Sequence, residues 1–391
     1  MITKANRFIN IIFILSILII NSSCVDEYWP DLNEKYNNIM VVDGMITNKP
    51  GPYTIKLSSS STLNFRPENN PLTNHQVSIM DDQGNAESLI EIENGTYITS
   101  ESGIQGVFGR KYKLIIQTPS GEVYESDYSK LNAPVEIKSI YSELEYKEYN
   151  NVNYNQAGYQ FYIDTYKADE DTTYLLWRLS ETYKYNVDYL IRWKYDHRVL
   201  TRLYNSDTLY TCWKTKKINQ IFIFNTGILS EPQIERYPFH YRSTATRHLS
   251  VRYSLLVQQL TVNEGLYNFW NNLKEINEQD GMFTKQPFQI QGNIKNVNNT
   301  NEVVLGYFIV AGISERRIFM DRPSGVEFNY MKCVLGVGDY EAMEWLFMTP
   351  SNMCPLYVTE DAEHNKAFPH QDCIDCTRND GFLEKPEFWV D

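Results

Sequence analysis

The chain has 391 residues, enough for two or three domains with a sizeable core, and a formal net charge of −13 from 36 Lys+Arg against 49 Asp+Glu. No basic block interrupts that acidity, so the cationic surface that grips a phosphate backbone is missing and nucleic acid is not an expected partner. An aromatic content of 29 Tyr against 18 Phe and 7 Trp suits strands and adhesive external surfaces better than a cytosolic α/β enzyme.

Lys4 and Arg7 precede a largely apolar run from Phe8 to Ile20, the pattern of a secretory signal and short for a transmembrane span. Asn21-Ser22-Ser23-Cys24 follows it and resembles a bacterial lipobox, with Asn21 departing from the usual aliphatic residue. Residues 1–23 then read as a lipoprotein signal peptide, with Cys24 as the lipidated, palmitate-bearing first residue of the mature chain. Loss of Lys4 and Arg7 takes the net charge from −13 to −15. Asp26 and Glu27, close behind Cys24, look like a surface-export signal of Gram-negative bacteria. The expected location is the outer membrane, lipid-anchored and exposed at the cell surface, with residues 24–36 as a polar tether.

From residue 37 the pattern is strand after strand. Ile39 to Thr47 is β-rich and breaks at Pro50-Gly51-Pro52. Tyr53, Ile55 and Leu57 then alternate with polar residues, as do Val77 with Ile79 and Tyr112 with Leu114 and Ile116. This predicts a β-sandwich of the immunoglobulin or transthyretin kind over residues 37–133. Asn132-Ala133-Pro134 marks the predicted boundary, and a larger β-rich region fills 134–391. The Asn/Tyr-rich stretch from Tyr149 to Gln156 reads as a hairpin tip or external loop. Strands are expected at 160–166, 172–179, 218–224 and 249–260, the last with one wet face. One amphipathic helix is predicted near 261–281: Thr261 and Glu264 have capping-box spacing, Leu266, Phe269, Trp270 and Leu273 form an apolar stripe, and Gly281 suits a C-terminal cap. The stripe reads as core packed on a sheet.

With Cys24 lipidated, five of the six cysteines remain, and an oxidising exterior points to disulfides among Cys212, Cys354, Cys373 and Cys376. Three connectivities are open, with a bridge from Cys354 into the Cys373-x-x-Cys376 pair favoured and Cys333 left as a free buried thiol. The alternative is zinc: His364, His370, Cys373 and Cys376 form a four-donor set, against which the compartment argues. No cofactor is expected. No catalytic residue is assigned either, because the nucleophile-elbow, zinc-protease and P-loop patterns do not occur. His75, His197, His240 and His248 are scattered and read as structural. The aromatic segment carrying Tyr183, Tyr185, Tyr189, Arg192, Trp193 and Tyr195 is the candidate ligand or partner surface, since Tyr, Trp and Arg dominate such surfaces.

Several motifs together resemble one family: Val41-Val42-Asp43-Gly44-Met45-Ile46-Thr47 with Pro50-Gly51-Pro52-Tyr53, Tyr253-Ser254 leading to Phe269-Trp270, and Gly281 with Pro287. Gly292-Asn293-Ile294, Gly306-Tyr307-Phe308, Arg316-Arg317, Cys373-Ile374-Asp375-Cys376 and Lys385-Pro386-Glu387-Phe388-Trp389 continue the likeness to Trp389. The chain is similar to lipoproteins of domain of unknown function family 4249. It departs from their pattern in carrying a single glycine, Gly381, after the Cys-x-x-Cys. The resemblance implies a surface-facing outer-membrane lipoprotein associated with a TonB-dependent receptor. The expected function is a non-enzymatic accessory subunit that captures an unknown nutrient ligand for that transporter. The alternatives are an adhesion or surface-structural module and, third, an unrecognised hydrolase.

Overall fold

The computed structural model describes residues 39–390 except 61–69, 150–151, 169–171, 206, 279–289, 336–343 and 345. Cys24, Asp26, Glu27, Gly281 and Pro287 lie outside the described residues. The chain is mainly β, and the described residues form four sheets.

A nine-stranded sheet forms the spine, and its central strand is Leu305–Asp321. The first half of that strand runs parallel to Met40–Thr47, from Val41 opposite Leu305 to Thr47 opposite Ala311. Its second half runs antiparallel to Arg252–Val262. Phe308 to Ile313 is buried without a break, as expected where both faces of a sheet are covered. Beyond Arg252–Val262 the sheet continues through Tyr174–Asn186 to Thr211–Asn225; beyond Met40–Thr47 it continues through Thr54–Ser59.

The predicted sandwich is present, and residues C-terminal to the predicted boundary help to complete it. A second sheet holds Gln76–Asp81, Lys111–Gln117 and Val123–Ser126, and Ile294–Asn296 pairs onto the last of these. The core between the two sheets contains Val42, Ile55, Leu57, Ile79, Leu114 and Ile116 together with Ile294, Val304, Phe308 and Val310. Both sheets thus take a strand from beyond residue 290. The join is tight: Gly306 sits at φ +91°, where a Cβ would come within 1.9 Å of the Val42 carbonyl oxygen.

A second core fills the space between the spine and a three-stranded sheet of Ile137–Tyr149, Val152–Thr165 and Tyr237–Ser243. Phe161, Ile163, Trp177, Tyr253, Leu255 and Val257 meet there. The Asn/Tyr-rich stretch is a hairpin end as predicted, but the strands run further into it, with Tyr149 paired to Val152. The strand expected at 249–260 begins at Arg252, because Arg247–Leu249 is a 3-10 turn. Its second face is not wet throughout, since Ser254 is fully buried.

The helix is Glu264–Glu278. Leu266, Phe269 and Trp270 pack on the outer face of the spine against Leu260, Val262 and Ile309, as the stripe predicts. The cap differs. Thr261 belongs to the preceding strand, where its Oγ1 accepts the Val135 N–H at 2.9 Å. Asn263 caps instead, with Oδ1 accepting the Leu266 N–H at 2.8 Å. Asn263→Ala is expected to cost about 1 kcal/mol in urea unfolding, whereas Glu264→Gln, outside any capping box, should be close to neutral.

Candidate functional site

The helix covers only part of the sheet beneath it. Fifteen residues span about 22 Å, and the face below is apolar at Leu176, Leu260 and Ile309 but turns polar further along. Arg178 lies two residues beyond Leu176 on the same face and pairs with Gln258 of the next strand. Asp43 pairs with Tyr307 on the neighbouring strands, which again places both on the helix side. Between this polar strip and the helix edge formed by Trp270 and Leu273 lies a groove of about 480 Å³. That volume is in the range of small-molecule sites.

Two polar groups of residues that line the groove have no partner among the described residues. The Arg178 guanidinium makes no hydrogen bond or ion pair among the described residues. Burial pushes its pKa below the ordinary arginine value, and only the charge of Asp43 opposes that shift. Gln258 makes no bond to it; its Nε2 donates instead to Glu315, which also pairs with Lys49. Trp270 Nε1–H is buried with no acceptor. The buried Trp270 N–H costs free energy, as the buried and unpartnered Trp213 and Trp389 N–H groups do, whereas the guanidinium of half-buried Arg178 keeps contact with water. Lys217 stands exposed at the rim.

A second polar cluster lies on the opposite face of the same strand, inside the second core. Glu181, 1 % exposed, receives Arg242 through Nε at 2.7 Å and through Nη2, and receives the Tyr253 hydroxyl at 2.9 Å. His248 Nε2 is 3.5 Å and His240 Nε2 4.0 Å from its oxygens. Burial works to raise the Glu181 pKa, but the His248 and Arg242 contacts outweigh it and hold the carboxyl at about 2. Burial, with the neighbouring Arg242 charge, lowers His240 to about 4. The carboxylate's acceptor positions are taken up by donors of the chain itself, so the cluster is built to hold the two sheets together.

The predicted aromatic surface is divided by the fold. Tyr183 and Tyr185 are in the second core, and Tyr195 is in a small separate core with Leu346 and Leu356. Tyr189 donates its hydroxyl to the Cys333 carbonyl at 2.5 Å. The Arg192 backbone N–H bonds to the Val358 carbonyl, and Trp193 lies between Arg202 and Lys366 at 5.9 and 5.6 Å. These six residues do not form one surface.

The expected cysteine pairing is corrected. The bridges are Cys212–Cys376 and Cys333–Cys373, while Cys354 is free and packs beside the small core. Cys333 is therefore a bridge partner, and the two cysteines of the Cys-x-x-Cys bond to different strangers. The zinc alternative loses its thiolates to these bridges. His364 and His370 are 87 % and 79 % exposed and face Glu360 and Asp372, and no group of metal-binding side chains occurs among the described residues.

A family described as domain of unknown function DUF4249 matches residues 25–317. The chain belongs to this family. The match takes in the helix, the groove and the spine up to residue 317 of its central strand, and it ends before the cysteine-bearing tail, so the tail motifs lie outside it. No curated protein matches the chain. No helix among the described residues is long and apolar enough to cross a membrane.

Neither Arg178 nor the pairing of Glu181 with Arg242 was singled out in the sequence. A signal was present: Tyr174, Leu176 and Arg178 alternate on one face, and a charge in the apolar phase of a central strand calls for a partner. Trp270 was recognised as core, and its apolar ring is, but its N–H is not accounted for by that role.

Proposed function

We propose that this DUF4249 protein is a lipid-anchored, surface-exposed outer-membrane subunit that captures a small ligand for a TonB-dependent transporter without catalysing a reaction on it. Three sequence features support the anchor: the basic start, the apolar run and Cys24 with acidic residues behind it. The observation that carries the capture role is the groove between the helix and the spine, where the Arg178 cation, without a hydrogen bond or ion pair among the described residues, stands beside apolar walls. A preformed concave site with a few convergent polar groups is how binding proteins present themselves. The Glu181 cluster, the other concentration of titratable groups, has its capacity taken up internally.

The test uses the native lipoprotein in its own membrane. Gentle solubilisation and affinity capture should recover a large outer-membrane barrel, and Cys24→Ala should move the protein from the membrane to the soluble fraction. Capture that never yields a barrel, even after cross-linking, would overturn the transporter role.

A further inference from the structure

We propose that the helix–sheet groove binds a small monoanion with a flat apolar body, its carboxylate or similar oxyanion meeting Arg178 and its ring lying against Trp270 and Tyr307. This deepens the capture reading and rests on it for the ligand's purpose, though the binding itself needs no transporter. An arginine cannot shed its proton in a protein, so an unpaired guanidinium in a partly desolvated groove carries a standing cost that an incoming anion removes. Its planar fork suits two parallel hydrogen bonds to a carboxylate.

The walls select the rest of the ligand. Phe269, Trp270, Leu273 and Tyr307 make the helix side apolar and aromatic, so a flat ring is better matched than a polar chain. Phe269 and Tyr307 already hold each other at 5.2 Å between centroids, which leaves the site largely preformed. Asp43 argues for a single negative charge: a polyanion such as a phosphate ester would face its carboxylate and the acidity of the whole chain. A neutral sugar could stack on the rings but would leave Arg178 uncompensated.

The chemistry can be read with 2-naphthoate and its neutral isostere 2-naphthamide, titrated into the purified full-length protein by calorimetry and tryptophan fluorescence. Saturable 2-naphthoate binding is expected, at least about tenfold tighter than that of 2-naphthamide, because a charge-assisted pair is worth about that factor or more. Arg178→Gln should abolish the preference by weakening 2-naphthoate about tenfold or more while leaving 2-naphthamide unchanged. Arg178→Lys should retain part of it, and Trp270→Phe should weaken both probes. Equal binding of the two probes, absence of saturable binding, or an Arg178→Gln protein that still prefers 2-naphthoate would overturn the proposal. So would an Arg178→Gln protein that fails to fold, since the guanidinium would then be structural. Failure to capture a barrel leaves these results unaffected, and their failure leaves the transporter test standing.

Discussion

Replacing Cys212 and Cys376 together by alanine is expected to lower stability more than any other change considered. The bridge closes a segment of 164 residues, and chain entropy alone assigns a crosslink of that span about 5 kcal/mol. The two half-cystines are fully buried in the second core. Around them the tail is stitched to the spine by reciprocal Trp213 and Phe382 backbone bonds and by the Tyr185 hydroxyl donating to the Cys376 carbonyl at 2.6 Å. Those contacts persist in the folded double variant, so the effect comes mainly through the unfolded chain, which becomes more expanded. Urea unfolding should therefore show a lower midpoint and a steeper slope. Removing Cys333–Cys373, which spans 40 residues inside the larger loop, should cost less, and the two effects should not add. An unchanged midpoint after loss of Cys212–Cys376 would show that the bridge does not constrain the unfolded chain in solution.

Glu181→Gln is expected to be the next most damaging, at about 3 kcal/mol, because it leaves the Arg242 guanidinium partly buried without its carboxylate. Here the midpoint should fall with no change of slope, the mark of a folded-state loss. The same group sets a pH dependence whose direction follows from proton uptake. Glu181 holds about 2 in the folded protein against 4.5 for the free side chain, so the unfolded state binds the extra proton and stability is lost as pH falls between those values. His240, held at about 4 against 6.5, acts in the same direction at higher pH. Unfolding midpoints should be flat above pH 7, decline below 6.5 and decline faster below 4.5. The gap between the wild-type and Glu181→Gln proteins should narrow through that last window. A gap that is constant from pH 7 to pH 3 would remove Glu181 as the cause.

What could be read along the chain was what depends on neighbours in sequence. Alternation located the strands, and the spacing of Leu266, Phe269, Trp270 and Leu273 located the helix and the face it buries. The capping residue was misplaced because Thr261 is claimed by the sheet, where Val135, far away in sequence, uses its hydroxyl. The Asn/Tyr-rich stretch reads as a hairpin tip or external loop because its composition disfavours strands, yet antiparallel pairing extends the strands into it as far as Tyr149 opposite Val152. The tyrosine-rich segment carries the residue types of a binding surface, but alternate side chains of a strand point to opposite faces, and the second core took Tyr183 and Tyr185.

By itself, then, the sequence determined the β-rich class, an amphipathic helix with the face it buries and, through motifs spread along the chain, the family. Only the tertiary structure decided which strands from beyond residue 290 complete the amino-terminal sandwich, which cysteines meet, and that Glu181, Arg242, His240 and His248 form one cluster while Arg178 finds no partner among the described residues. The reason is physical: secondary structure follows from local backbone preference and hydrophobic period, whereas pairing of charges, sulfurs and sheet edges depends on distances set by packing between segments up to 266 residues apart, as in Lys49 paired with Glu315.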